Sequence, residues 1–192
     1  MRKDFLIVVI TSPESWDGEG DCLEELLQAG AEKLHIRRWG HTREALLERL
    51  APKWSSRLVL HGEEEMALRY RIPQIHGHWT DKPTSVGLSA STHSWDEVRQ
   101  IPQRALEYVF LSPLFDSISK PGYMAGAGLL QRPEGVNPCK LIGLGGIDEY
   151  TIGQVMDHGW DGVAVLGYIW SKPDMAVERF KTLKAIVEDH GR

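Results

Sequence analysis

Apolar residues in this chain fall into short runs that alternate with segments of helical period. The run Phe5-Leu6-Ile7-Val8-Val9-Ile10 is apolar throughout rather than alternating, the pattern of a parallel strand covered on both faces. Asp21 to Ala29 then places Leu23, Leu26 and Leu27 on one face and predicts a helix stopped by Gly30. Lys33–Arg37, Arg57–His61, Pro73–His76, Ser85–Ser89, Glu107–Leu111, Lys140–Leu144 and Asp161–Leu166 read as further strands. Between them, helices are expected over Thr42–Leu50 (ended by Pro52), Glu63–Arg69, from a capped start at Ser94, over Glu149–His158 behind an Asp148 cap, and over Asp174–Glu188. Residues 126–138 carry no clear period and read as loop.

Eight strands alternating with helices predict an α/β fold with a parallel sheet, and the count favours a closed, single-domain (β/α)8 TIM barrel over residues 1–192. An open doubly wound sheet would want a glycine-rich turn after the first strand, and Thr11-Ser12-Pro13-Glu14 is not one.

Composition narrows the function classes. A net charge of −5 argues against a nucleic-acid partner, which needs a basic face. The apolar run behind Met1-Arg2-Lys3 has a strand's length, too short for a secretory core or a membrane span. Cys22 and Cys139 fall in no metal-binding spacing and build no disulfide framework, so the chain reads as cytoplasmic, with no membrane partner. A homo-oligomer is left open.

In a barrel the chemistry lies at the C-terminal ends of the strands. There the sequence places His35 and Arg37, His61, His76 and His78, Ser89, Ser112, the loop Ser117-Ile118-Ser119-Lys120, Gly145-Gly146 and Gly167, with His93 just past the fifth strand. Read alone, a Ser-x-Ser-Lys loop is an ordinary surface turn. On one rim with Arg37 and two glycine turns it becomes an anion clamp, because glycine lets backbone N–H groups approach phosphate oxygens. A second chemistry is open to the same rim: His61, His76 and His78 as ligands of a hydrolytic metal ion.

The segments Ile142-Gly143-Leu144-Gly145-Gly146-Ile147, Ser117 to Lys120 behind the sixth strand, and Gly87-Leu88-Ser89 resemble the thiamine phosphate synthase and thiazole tautomerase superfamily, over nearly the whole chain and in the same strand order. The resemblance implies a barrel of thiamine biosynthesis that binds thiazole phosphate. The implied substrate and phosphate contacts are His35, Arg37, His61, Ser89, Ser117, Ser119, Gly145, Gly146 and Gly167. The synthase branch also takes a pyrimidine diphosphate and uses Mg²⁺.

Against that branch, the Gln-Leu-Arg-x-Lys strand end corresponds to His35-Ile36-Arg37-Arg38-Trp39, keeping only the arginine and a hydrophobe. The Asn-Asp pair after the third strand corresponds to His61-Gly62, which leaves Asp81 as the matching metal carboxylate. The tautomerase branch needs no metal, and its His-Ser-Leu-Glu-Glu stretch is similar to His93-Ser94-Trp95-Asp96-Glu97. By this resemblance His93 and Lys120 are the catalytic residues, His93 moving the proton. Tautomerase-like proton transfer on a thiazole phosphate carboxylate is therefore the expected activity. Full synthase chemistry and a non-catalytic phosphate-ligand binder are the alternatives.

Overall fold

A computed structural model describes residues 5–79, 84–103, 105–116, 128–136 and 139–190. Eight parallel strands close into a barrel in sequence order: β1 (Leu6–Ile10), β2 (Lys33–Ile36), β3 (Leu58–His61), β4 (Gln74–His76), β5 (Gly87–Thr92), β6 (Tyr108–Leu111), β7 (Lys140–Leu144) and β8 (Gly162–Val165). The helices are α1 (Glu19–Gln28), α2 (His41–Trp54), α3 (Glu64–Arg69), α4 (Trp95–Gln100), α5 (Ile152–Asp157), α6 (Gly167–Trp170) and α7 (Ala176–Asp189). Among the described residues none is long and apolar enough to cross a membrane.

Alternation along each strand divides the core in two. Outward-facing residues such as Val9, Leu34, Leu60, Val109 and Val163 pack with Leu23, Leu27, Leu47, Leu50, Val155 and Phe180 of the helices. Inside the barrel, Val8, Ile10, Ile142 and Ala164 form an apolar half built by β1, β7 and β8, with Tyr108 and Phe110 of β6 against it. The register then carries the interior around the remaining wall: Ile10 pairs with His35, His61 with His76, His76 with Ser89, and Ser89 with Tyr108. That half of the interior is polar.

Several boundaries differ from the expectation. α2 runs through Pro52 to Trp54, because Ala51 is buried and Trp54 packs on the core, so burial offsets the hydrogen bond that proline removes. β5 extends to Thr92, whose hydroxyl donates to the Phe110 carbonyl at 2.9 Å. α5 begins only at Ile152: the Asp148 carboxylate accepts the amides of Tyr150 and Thr151, both at 2.9 Å, and holds that stretch as a turn. The one-turn helix α6 was not expected, and the Trp170 indole fastens it to the Ile10 carbonyl at 2.6 Å.

Candidate active site

The C-terminal ends of the strands surround a cavity of about 480 Å³. Its wall includes Arg37 after β2, His61, His76, Ser91, His93, Ser112 after β6, Gly145 and Gly146 after β7, and Gly167 with Tyr168 after β8. Ile10, Phe110, Leu144, Ala164 and Val165 supply an apolar floor and side.

The glycine rim follows from close packing. Gly145 and Gly146 have φ of 96° and 64°, the left-handed region that side chains other than glycine rarely adopt. The neighbouring loop docks on this turn: Leu114 N–H donates to the Leu144 carbonyl at 3.0 Å and Phe115 N–H to the Gly145 carbonyl at 3.2 Å. A Cβ on Gly146 would stand 2.5 Å from the Asp116 carbonyl oxygen, so only glycine admits this docking.

Arg37 is exposed at the rim, and its backbone N–H donates to Thr11 Oγ1 at 2.9 Å. In the ring of strands β2 stands nearly across the mouth from β7, so the guanidinium and the glycine turn bound opposite parts of one cavity. His93 lies between them, with Nδ1 3.2 Å from the Ser112 carbonyl and its amide held by Glu97 Oε2 at 2.9 Å. A proton on Nδ1 satisfies that carbonyl and leaves the Nε2 lone pair for the cavity.

Deeper lies a cluster of imidazoles. His35 Nδ1 is 2.9 Å from His61 Nε2, and His35 Nε2 is 2.5 Å from the Tyr108 hydroxyl. His76 stacks on His61 with 4.4 Å between ring centroids and reaches Ser89 Oγ and Ser91 Oγ, each at 3.0 Å. Burial, reinforced by His76 and then Arg37, lowers His61 to about 3; burial and Arg37 lower His76 to about 4. Burial, reinforced by its two imidazole neighbours, also places His35 well below the ordinary histidine value. These rings are therefore neutral at physiological pH and do not serve as cations for phosphate.

Of the expected site residues, Arg37, His61, His93, Gly145, Gly146 and Gly167 line the cavity. His35 and Ser89 are fully buried behind it, reaching it through His61 and His76. Ser117, Ser119, Lys120 and Asp81 lie outside the described residues. His78 is corrected as a partner of His61 and His76. β4 ends at His76, His78 is exposed, and the third imidazole of the cluster is His35. Ser112, placed on the rim by the sequence, lines the cavity as well, whereas Tyr108 and Ser91 were missed. For Tyr108 the signal was its place two residues before Phe110, on the inward face of β6.

Mg²⁺ prefers carboxylate and other hard oxygen ligands. Among the described residues the cavity wall holds no carboxylate, only imidazoles, hydroxyls and backbone, so this donor set does not fit that ion.

A family model described as thiamine monophosphate synthase matches residues 7–169. The thiamine-phosphate synthase of Synechococcus sp. (strain CC9605) is 27% identical over 188 residues, covering 90% of this chain. The present chain spans only 53% of that relative's length. The thiamine-phosphate synthase of Halalkalibacterium halodurans is 24% identical over 202 residues, covering 94% of this chain and 96% of its own. Among solved structures, the thiamine phosphate pyrophosphorylase from Bacteroides thetaiotaomicron superposes with a TM-score of 0.77 at 26% identity, covering 98% of this chain and 100% of that one.

Proposed function

The chain belongs to the thiamine monophosphate synthase family, and we propose that it joins a pyrimidine diphosphate to a thiazole phosphate, the reaction for which its relatives are named. In that substitution the bond from the pyrimidine methylene carbon to the diphosphate oxygen breaks, and the diphosphate leaves with the electron pair. The thiazole nitrogen then forms a new bond to the same carbon. The reading replaces the tautomerase-first expectation, because the named relatives favour synthase chemistry.

The observation that carries it is the division of the cavity. A glycine rim at Gly145, Gly146 and Gly167 suits the thiazole's phosphate, an apolar middle with Phe110 suits flat heterocycles, and Arg37 stands across the mouth to receive the departing anion. By their place in the sequence, Ser117, Ser119 and Lys120 complete the diphosphate clamp.

One observation favours a second reading, proton transfer on a thiazole phosphate carboxylate. His93 stands on the cavity wall with its Nδ1 engaged by the Ser112 carbonyl, the arrangement that frees Nε2 as a base.

Incubating the protein with both precursors, with and without Mg²⁺, and separately with the non-aromatic thiazole tautomer, tests both readings. Thiamine phosphate formation is the expected result. Aromatisation alone would transfer the assignment to the tautomerase reading, and thiazole phosphate binding with no turnover in either assay would make the protein a binder.

A further inference from the structure

We propose that His35, His61 and His76 form a binding site for one divalent transition-metal ion of the zinc or cobalt class, set in the barrel interior with an open position toward the cavity. The three side chains come from consecutive strands β2, β3 and β4, and the ligand atoms they offer lie within 4.8 Å of one another. A tetrahedral ion with metal–nitrogen bonds of about 2.0–2.1 Å holds its ligands roughly 3.4 Å apart. His35 Nδ1 and His61 Nε2 already stand 2.9 Å apart, so the ion needs only small side-chain rotations.

Two of the three rings, His35 and His76, have the partners a metal site requires. A ligating imidazole keeps one nitrogen for the ion and donates the other N–H to a fixed acceptor, which sets tautomer and orientation. His35 gives Nε2 to the Tyr108 hydroxyl. His76 gives Nδ1 to Ser89 Oγ, whose own proton goes to the Ile75 carbonyl at 3.2 Å, and its Nε2, 3.0 Å from Ser91 Oγ, exchanges that hydroxyl for the ion. For His61, moving its proton from Nε2 to the other ring nitrogen frees the lone pair beside His35, with no net proton released. Burial keeps all three rings unprotonated, the form that binds metal.

The same donor set that fails for Mg²⁺ suits this class: imidazole is a preferred ligand of zinc, cobalt and nickel. His61 and His76 line the cavity whereas His35 is enclosed behind them, so the remaining coordination position opens where an oxygen of a bound anionic ligand or water can enter. The inference does not depend on the reaction proposed above, since its readout needs no substrate.

The test uses chelator-treated full-length protein. Titration with Co²⁺ is followed by visible d–d absorption, and metal content is measured by elemental analysis after equilibration with Zn²⁺ and gel filtration. One ion per chain is expected. His35→Gln and His61→Asn should each weaken binding by more than about 100-fold, and Tyr108→Phe, which keeps all three ligands, by about 10- to 100-fold. His158→Gln, a half-buried histidine just past the end of α5 and outside the cluster, should bind as the parent does. Circular dichroism identifies any variant that has lost its fold, in which case Tyr108→Phe and His61→Asn decide. Absence of a stoichiometric ion overturns the proposal, as does uptake unchanged in the folded variants, which would mark adventitious surface binding.

Discussion

His35 Nδ1 and His61 Nε2 stand 2.9 Å apart inside the barrel, so a single proton bridges two imidazoles that burial keeps uncharged. A third ring, His76, stacks on the second. The charges that act on this group are Arg37 on His61 and His76, and Lys33 on His35, all of the sign that resists protonation.

This cluster makes stability depend on pH. In the unfolded chain each histidine takes up a proton near pH 6.5, whereas in the barrel His76 resists to about 4 and His61 to about 3. Between those values the unfolded state binds more protons, so the stability present above pH 6.5 is lost as the pH falls toward 4. Each group contributes a slope of about 1.4 kcal/mol per pH unit across that window. Urea unfolding of chelator-treated protein at pH 7.5, 6 and 5 should show the decline, and His61→Asn should reduce its slope. Equal slopes in parent and variant would contradict the assignment.

The glycine rim should tolerate no side chain. Gly146→Ala forces alanine to a φ of 64° and brings its Cβ to 2.6 Å from Phe115 Cβ as well as against the Asp116 carbonyl. A cost of about 1–3 kcal/mol is expected in thermal or urea unfolding. Thiazole phosphate affinity, read by calorimetry, should fall with it.

Arg37→Gln separates binding from folding. The side chain is exposed and lines the cavity. Stability should stay within about 0.5 kcal/mol of the parent. The KM for the diphosphate substrate should rise about 10- to 100-fold, the loss of a charge-assisted hydrogen bond. An unchanged KM would remove Arg37 from the clamp.

His93→Ala distinguishes the two reactions. If the protein is a synthase, the variant keeps most of its bond-forming activity, since that substitution moves no proton through His93. Loss of aromatisation of the thiazole tautomer, with thiazole phosphate affinity intact, is the outcome the second reading requires.

One residue beyond Arg37, Arg38 forms an ion pair with Glu19 at 2.5 Å, the two side chains only 6% and 4% exposed. Arg38 also donates to the Ser12 carbonyl at 2.8 Å and the Glu14 carbonyl at 3.2 Å, fastening the segment between β1 and α1. Glu19→Ala leaves that guanidinium buried without its counter-charge, and a loss of about 3–5 kcal/mol is expected in urea unfolding.

The run of apolar strands and amphipathic helices was legible in the order of residues, because period 2 and period 3.6 are local properties. So was the rim: once the fold is a barrel, the ends of strands name Arg37, His61, Gly145, Gly146 and Gly167 without further information. Helix ends were less legible. α2 passes Pro52 because of what Trp54 packs against, and nothing within the segment states that.

The inner cluster was decided by tertiary structure alone. Alternation says that His35 and Arg37 share a face of their strand, but not that this face points inward, nor which residue stands beside it on the next strand. Register supplied that, setting His61 against His76 and Ser89 against Tyr108, and the end of β4 at His76 excluded His78. Pairing between strands is a non-local relation, fixed by barrel closure and by the packing of an apolar half against a polar one. The individual histidines are visible in the sequence; their meeting at one point is a property of the closed sheet.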